Sequence, residues 1–537
     1  MTPERPGPAP EPGSPALSPT TRSILQATTL VTAIALVVKG LGFLEKVLLA
    51  YLFGTGPQVD AYLVAYSLPF SAFIVLREVV KPAFLPTFLR ARQTSEKDGL
   101  RLLAVSATVL LILLALATAA GLALSGPLVA LAAPGFGPEQ RALAVRLTRM
   151  VMPALLLLGL STLTTAALHA RKQFVLPALG EASFRLGPIA FLLLLGGVPA
   201  AAAGVAVGSL GKLAIESWGL RRHVAGIRPS LDLAFGPVRV VGRLAAPLLA
   251  ALFLSLFIGP LVENAFASRE GVGGVAALAY ARKIAETLTT ILPYTLGLVL
   301  LPFSAEMAAR QDATGLAATL SGALRALILV FLPVAIGLMV LREPFVRLLL
   351  ERGAFTATST ALTAGPLLFY GLALLPFVLE VVVIQFFFAR QDTLTPVLAD
   401  ATTFALNVAL IALLSPGLGL AGIALAAALA KGIKVLSLLV LFQRRVPAFR
   451  LRALAPFAGR IVLAGLAAAA VLLGLNALLQ EQVMAEGVLF LVAYLGAAAA
   501  LGGGTFFLVT WLLGVNETRD ILRRAGALLR ARRAARS

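Results

Sequence analysis

Residues 37–69 read VVKGLGFLEKVLLAYLFGTGPQVDAYLVAYSLP. This stretch lies in an apolar run long enough to cross a bilayer, and yet it contains Lys39, Glu45, Lys46 and Asp60. On scales derived from insertion experiments, a charge at the bilayer centre costs about 2.5–3.5 kcal/mol. A chain tolerates that cost when the charges face water, one another or a polar ligand. The stretch therefore predicts a helix that lines a cavity inside a membrane, and with it a transport function.

The composition of the whole chain predicts a membrane protein. Of its 537 residues, 59% are hydrophobic and only 13% are charged, whereas globular domains have about 25% charged residues. A soluble protein of this composition would expose large apolar patches, so we predict an all-α polytopic membrane protein. The chain has no cysteine, which excludes disulfides and thiolate metal sites. We expect neither a metal site nor a cofactor.

Runs of about 20 apolar residues can each cross the membrane core. Counting such runs between charged or Pro/Gly breaks predicts about fourteen spans, near 26–53, 59–89, 101–125, 140–168, 176–195, 199–220, 240–264, 272–302, 315–341, 361–389, 394–414, 418–442, 457–479 and 487–514. Lys and Arg concentrate in the loops after even-numbered spans, and this bias predicts that both termini are cytosolic. The net charge of +20 is spread over these loops, so we expect contacts with anionic membrane lipids and none with nucleic acid.

The chain resembles itself at an offset of about 219 residues. ALHARKQFVLPAL parallels FFFARQDTLTPVL, and SGPLVALAAPGF parallels REPFVRLLLERGAF. An even number of spans per repeat makes the repeat parallel, and transporters commonly bind substrate between such repeats. The predicted divisions are a disordered cytosolic tail (1–22), a six-span first lobe (23–222), a six-span second lobe (223–445), two further spans (446–514) and a basic cytosolic tail (515–537).

Charges inside the spans are candidates for a binding site. In the first lobe they are Lys39, Glu45, Lys46, Asp60, Arg77, Glu78 and Lys81, and in the second lobe Glu263, Arg282, Lys283, Glu286 and Glu380. Lys39 and Lys46 are seven residues apart and share a helix face, whereas the adjacent Glu45 should point elsewhere. The set forms either a cationic cavity for an anionic head group or a structural ion-pair network between helices.

The same residues resemble a known family. GLGFLEKVLLAYLFGTGPQVDAYLVAYSLP is similar to the first-span signature of the MurJ/MviN family of lipid II flippases, and AFLPTF, APGF, RGAFTA and FFFARQDTLTPV are similar to further signatures of that family. The likeness extends over most of residues 26–514. The family belongs to the multidrug/oligosaccharidyl-lipid/polysaccharide exporter superfamily. The resemblance implies two pseudo-symmetric lobes in a V shape, and a groove for a lipid tail in the last two spans.

The resemblance also implies an activity and a place in the cell. Members of this family export lipid II, an undecaprenyl-diphosphate-linked peptidoglycan precursor, across the bacterial cytoplasmic membrane by alternating access. Cell-wall synthesis proteins are then expected partners. With the charges above, the resemblance implies substrate-binding roles for Lys39, Lys46, Arg77 and Lys283. Charge balance, or coupling to the membrane potential or a monovalent cation, would fall to Glu45, Asp60, Glu78, Arg282 and Glu286.

Two departures from the family pattern keep other functions open. Glu45 and Lys46 stand where the family has arginine followed by aspartate, and Arg282 and Lys283 stand where it has an acid followed by arginine. The alternatives are a flippase for another polyprenyl-linked oligosaccharide, a cation-coupled drug exporter and a transport-inactive membrane scaffold. No phosphate-binding loop, GxSxG or HExxH motif occurs, so we predict a transporter rather than an enzyme.

Overall fold

The computed structural model describes residues 19–224, 228–289, 292–485 and 487–519, and no strand occurs among them. The first lobe contains α1 (Pro19–Phe53), α2 (Pro57–Thr94), α3 (Glu96–Ala123), α4 (Ser125–Ala132), α5 (Pro138–Val151), α6 (Pro153–Ala170), α7 (Val175–Leu195) and α8 (Gly197–Leu220). The second lobe contains α9 (Gly236–Leu252), α10 (Gly259–Ala267), α11 (Gly274–Thr289), α12 (Leu292–Ala309), α13 (Ala313–Val340), α14 (Arg342–Leu350), α15 (Ala357–Ala389) and α16 (Leu394–Arg445). Two further helices follow, α17 (Ala455–Ala485) and α18 (Val488–Leu512). The prediction of an all-α protein is confirmed.

The two predicted tails fall largely outside the described residues. Residues 1–18 and 520–537 belong to that undescribed part. Helix α1 begins at Pro19, so the last four positions of the predicted tail 1–22 are helical.

Sequence signals explain where several helices begin. The Ser95 side chain accepts a hydrogen bond from the backbone N–H of Lys97 over 3.2 Å and so caps α3. Asp and Glu in the first turn of that helix favour the same boundary. Helices α2, α5 and α6 each begin with a proline, which fits the first helical position because its missing N–H would have no partner there.

The number of membrane spans is lower than predicted when each helix is counted once. Ten helices of the described part are long and apolar enough to cross a membrane, or eleven if Gly236–Ala250 and Phe253–Glu270, which are bent by 46°, form one span. Helix α16 has 52 residues and contains Gly419 at φ 57°, where the helix is interrupted. A helix of that length would extend about 78 Å, more than twice the membrane core. The total of fourteen stays a prediction.

The internal repeat is visible in the backbone. Lys172 and Gln391, which are 219 positions apart, adopt left-handed conformations with φ of 59° and 60°. The residue after each donates a backbone hydrogen bond to the end of the preceding helix, from Gln173 to Leu168 over 2.9 Å and from Asp392 to Phe387 over 3.0 Å. The two sequences that parallel one another therefore form the same helix-ending turn.

Helices α7 and α8 approach one another through small residues. A Cβ atom on Gly187 would lie 2.2 Å from the backbone oxygen of Gly204, so only glycine permits this approach. The close packing brings the charged side chains of these two helices within reach of one another in the interior of the first lobe.

Candidate functional site

Charged side chains of α1 and α7 meet inside the first lobe. Glu45 is 2% exposed, and its carboxylate lies 3.4 Å from Lys46 Nζ and 4.0 Å from Arg185 Nη1. The Tyr62 hydroxyl donates a hydrogen bond to the same carboxylate over 3.4 Å. The prediction that Glu45 points away from Lys46 is wrong, because long flexible side chains converge from adjacent helix positions.

An alternating series of charges continues from Arg185 across the first lobe. Glu181 lies 3.8 Å from Arg185 Nε and 3.4 Å from Lys212 Nζ. Lys212 lies 2.8 Å from Glu216, which also accepts hydrogen bonds from two threonine hydroxyls of α6 over 2.5 and 2.9 Å. From Lys46 to Glu216 the series contains three cations and three carboxylates, so it is neutral as a whole.

Aromatic rings of α2 support two of these cations. Lys46 Nζ lies 5.4 Å from the ring centroid of Tyr66, and Tyr66 stacks on Phe70 with centroids 4.8 Å apart. The guanidinium of Arg185 lies 5.6 Å from the Phe70 ring. Cations are attracted to the faces of aromatic rings, so this row of rings fixes where both positive charges sit.

Lys283 is the cation that the second lobe contributes. A Cβ atom on Gly42 would lie 3.7 Å from Lys283 Nζ and 3.8 Å from Arg185 Cδ, so both side chains lie beside the same turn of α1. Lys283 interacts electrostatically with Glu286 on its own helix and with Arg185, Lys46 and Glu45 of the first lobe. It forms no ion pair within 4 Å with any described residue. We call Glu45, Lys46, Arg185 and Lys283 the central site.

The other first-lobe residues predicted to bind substrate, Lys39 and Arg77, lie outside the four residues of the central site. Lys39 is exposed two turns before Lys46 on α1, and no ion pair joins it to another residue in the part of the chain that the structure describes. Arg77 and Glu78 pair with one another at 3.1 Å, and their side chains are 50% and 49% exposed. Arg77 also interacts electrostatically with Glu181.

Arg282 and Glu286 line a different cavity, which lies within the second lobe and has a volume of about 330 Å³. Arg282 is ion-paired with Glu263, and it donates a hydrogen bond to the Tyr370 hydroxyl over 3.1 Å. It faces away from Lys283 because consecutive helical residues project about 100° apart. The structure therefore separates Arg282 from the central site that it was predicted to balance.

Asp60 also lies away from the central site. The residue is 0% exposed, and its carboxylate accepts hydrogen bonds from the backbone N–H groups of Gly273 over 2.6 Å and Ala276 over 2.8 Å. A carboxylate at a helix start satisfies free N–H groups and interacts favourably with the helix dipole. The residue predicted to balance charge or couple an ion thus caps α11 and joins the two lobes.

The contacts around Asp60 form a lobe junction, which we define as residues 51–60 and 133–136 of the first lobe with residues 268–280 and 352–359 of the second. Ala354 N donates a hydrogen bond to Tyr51 O over 2.8 Å. Gly135 N donates one to Ser268 Oγ over 3.1 Å. Gly135 and Ala354 hold equivalent positions in the two repeats, so the junction follows the pseudo-symmetry of the chain.

We expect Gly135→Ala to destabilise the lobe junction. The new Cβ would lie 2.1 Å from the backbone oxygen of Ser268, and this backbone can yield only if the two lobes move apart. Overpacking of this kind costs about 1–3 kcal/mol. The change should lower the midpoint of thermal unfolding of the purified protein.

Gly137→Ala is the matched control for that change. A Cβ atom at Gly137 would meet nothing within 4 Å, although the position is only two residues away. Its unfolding midpoint should equal that of the parent chain. Equal midpoints for both variants would contradict the close contact at the junction.

Sequence reasoning missed Arg185, which is the guanidinium of the central site, and its partners Glu181, Lys212 and Glu216. All four residues lie inside predicted apolar spans, and each helix carries its two charges four residues apart. Opposite charges at that spacing share a helix face. The rule that residues at helical spacing share a face, which singled out Lys39 and Lys46, would therefore have identified these four residues as well.

The arrangement of charged side chains favours the binding of an anion over catalysis. The charges of the first lobe compensate one another, while Lys283 and Lys39 add positive charge that no described residue pairs. The described residues contain no group of three or more His, Asp or Glu side chains placed to hold a metal ion. Positive groups that come from both lobes and lie beside the same turn of α1 can bind an anionic ligand between them.

Comparisons with known proteins agree on one family. The family model described as "Lipid II flippase MurJ" matches residues 49–494. The "Probable lipid II flippase MurJ" of Rhizobium meliloti is 30% identical over 415 residues, which cover 74% of this chain and 76% of that protein.

Solved structures show the same fold. The "Lipid II flippase MurJ, inward closed conformation" superposes with a TM-score of 0.72 at 20% identity, covering 92% of this chain and 100% of that one. An inward-facing multidrug resistance MATE family transporter of the MOP superfamily superposes with a TM-score of 0.66 at 13% identity, covering 76% of this chain and 94% of that one.

Proposed function

The chain belongs to the lipid II flippase MurJ family, and from this membership we propose that its central site carries the diphosphate head group of lipid II across the membrane. The protein is a multi-pass membrane transporter of the flippase class and not an enzyme. Lys46, Arg185 and Lys283 bind the diphosphate, and Lys39 and Arg77 attract it from outside the central site.

The observation that carries this proposal is the position of Lys283. It comes from the second lobe, lies beside the same turn of α1 as Arg185, and has no ion-pair partner among the described residues. An unpaired charge in a low-dielectric interior is costly, so a doubly charged diphosphate lowers the energy of the site when it binds. Arg185 supplies the planar fork that matches phosphate oxygens, which a lysine lacks.

Alternation between two states of the lobes then moves the head group. The site binds lipid II with the lobe junction closed, and separation of the lobes at the junction releases it on the other side. The last two helices, α17 and α18, hold the lipid tail outside the lobes. An inside-negative potential favours outward movement of negative charge by about 2.3 kcal/mol per charge per 100 mV. Coupling to that potential or to a monovalent cation is part of the same proposal.

The proposal places the protein in the bacterial cytoplasmic membrane with both termini in the cytosol. The bias of Lys and Arg toward the loops after even-numbered spans supports this orientation. Anionic membrane lipids surround the basic loops, and cell-wall synthesis proteins are the expected protein partners.

Expression of the chain in a bacterium depleted of its own lipid II flippase tests the function. The measured quantity is the fraction of lipid II in the outer leaflet, determined with a membrane-impermeant reagent added to intact cells. We expect this chain to restore outward exposure of lipid II and growth. A strain with the empty vector is the control, and membrane levels of the chain are measured in parallel. A chain that is present in the membrane but leaves lipid II inside would exclude lipid II as the cargo.

A further inference from the structure

A basic cavity lies at one end of the first lobe, and none of the central-site residues lines it. It has a volume of about 480 Å³ and is formed where the turn between α6 and α7 meets the end of α8. Its lining residues include Lys172, Gln173, Trp218, Arg221, Arg222 and His223. None of them is acidic, so the cavity has an excess of positive charge.

The cations of this cavity are uncompensated. Lys172, Arg221 and Arg222 form no ion pair with any described residue, and Arg221 lies over the Trp218 ring at 4.5 Å. The neighbouring Arg171 differs, because it is paired with Glu96 at 2.5 Å. Gln173 Oε1 and His223 Nδ1 are buried polar atoms without a hydrogen-bond partner, although buried polar atoms are normally paired. The cavity therefore lacks a ligand that combines negative charge with hydrogen-bonding groups.

The equivalent turn of the second lobe has the acidic side chain that the cavity of the first lobe lacks. There the same left-handed turn is followed by Asp392, and Asp392 is ion-paired with Arg445 at the end of α16. Arg445 also donates a hydrogen bond to Thr395 Oγ1 over 2.8 Å. At the two matching positions of the first lobe stand Gln173 and Leu176. The second lobe thus supplies Asp392 as the carboxylate partner of Arg445, whereas no acidic residue lines the cavity of the first lobe.

We propose that the cavity of the first lobe binds the phosphate group of an anionic membrane phospholipid. Two adjacent arginines can hold phosphate oxygens with charge-assisted hydrogen bonds, and Lys172 adds a third positive charge to the lining. Two large apolar side chains that line the cavity are exposed: Phe174 is 42% exposed and Trp218 57%. Exposed aromatic side chains are typical of the interface between membrane and water. Their presence beside the cations favours a lipid over a soluble phosphate.

Native mass spectrometry of the full-length purified protein tests this site. The protein is titrated with phosphatidylglycerol, with zwitterionic phosphatidylcholine and, in a separate arm, with inorganic phosphate. We expect one phosphatidylglycerol to remain bound with a preference over phosphatidylcholine of about 100-fold, the size expected for three basic residues near a membrane surface. A protein without this preference overturns the proposal, and so does one in which millimolar inorganic phosphate displaces the lipid.

Two variants locate the lipid. Gln173→Asp gives the first lobe the carboxylate that the second lobe has and offsets about one of the three positive charges, so it should lower the preference about fivefold without removing a cation. The triple variant Lys172→Gln, Arg221→Gln, Arg222→Gln should abolish the preference. Its matched control removes three exposed cations elsewhere, as Arg90→Gln, Arg450→Gln, Arg452→Gln, and should keep the preference. A Gln173→Asp protein that binds phosphatidylglycerol as the parent does overturns the assignment to this cavity.

Discussion

Replacing Asp60 by alanine is expected to reduce the closed form of the lobe junction by about 100-fold. The carboxylate accepts two backbone hydrogen bonds at the start of α11, over 2.6 and 2.8 Å, and it is buried. Hydrogen bonds to charged groups contribute about 1.5–3 kcal/mol each, so losing both destabilises the closed junction by about 3 kcal/mol or more. Alanine also leaves two buried N–H groups without an acceptor.

Cross-linking measures this change directly, because the chain contains no cysteine. Thr55 Oγ1 and Ser359 Oγ lie 2.8 Å apart across the junction, so Thr55→Cys with Ser359→Cys places two thiols near disulfide distance when the junction is closed. We expect extensive cross-linking with Asp60 present and little with Asp60→Ala. The control is Asp312→Ala, which removes an equivalent cap within the second lobe. Equal cross-linking in the Asp60 and Asp312 variants would refute the junction role.

Lys283→Ala is expected to lower both lipid II binding and transport by about 10- to 100-fold. A charge-assisted hydrogen bond to phosphate contributes about 1.5–3 kcal/mol, and alanine removes the only central-site cation from the second lobe. The variant should fold normally, since Lys283 has no ion-pair partner among the described residues that its removal would leave unpaired. Lys283→Arg keeps the charge and should retain most of the activity.

The assay for Lys283 combines the fraction of lipid II exposed in the outer leaflet with native mass spectrometry of bound lipid. Lys97→Ala is the matched control, because Lys97 is an exposed lysine in the first turn of α3, outside the central site. It should transport as the parent chain does. A Lys283→Ala protein with parental transport would mean that the central site does not bind the diphosphate.

Much of the fold follows from sequence patterns that report local physics. Charged residues in apolar runs predicted that these charges face one another or a polar ligand, and the structure pairs Lys46 with Glu45 and places Lys283 beside Gly42 of α1. The ARKQ and ARQD turns predicted a repeat, and Lys172 and Gln391 share one backbone conformation. These predictions succeed because periodicity and helix-ending turns depend on residues near one another in the chain.

Other features depend on contacts that sequence spacing does not encode. Asp60 caps a helix that begins more than 200 positions later. Its partners are backbone N–H groups, which every residue except proline has, so the sequence does not identify them. Arg282 and Lys283 are adjacent, and helix geometry predicts that they face different ways without telling which one faces the central site. The count of fourteen spans also depended on where long helices such as α16 bend.

The hydrogen bonds at the lobe junction contribute to the free energy that is needed to separate the two lobes. At least seven hydrogen bonds join the lobes in or beside it: Asp60 to Gly273 and Ala276, Tyr51 to Ala354, Gly54 to Tyr280, Thr55 to Ser359, Gly135 to Ser268 and Ser67 to Asn264. At about 1.5–3 kcal/mol for each of the two bonds to the Asp60 carboxylate and about 0.5–1.5 kcal/mol net for each of the other five, they amount to roughly 6–13 kcal/mol. A ligand can shift a two-state equilibrium from 1:99 to 99:1 with about 5.5 kcal/mol of differential affinity. A ligand that opens the junction must therefore bind the open form more tightly than the closed form by a comparable free energy.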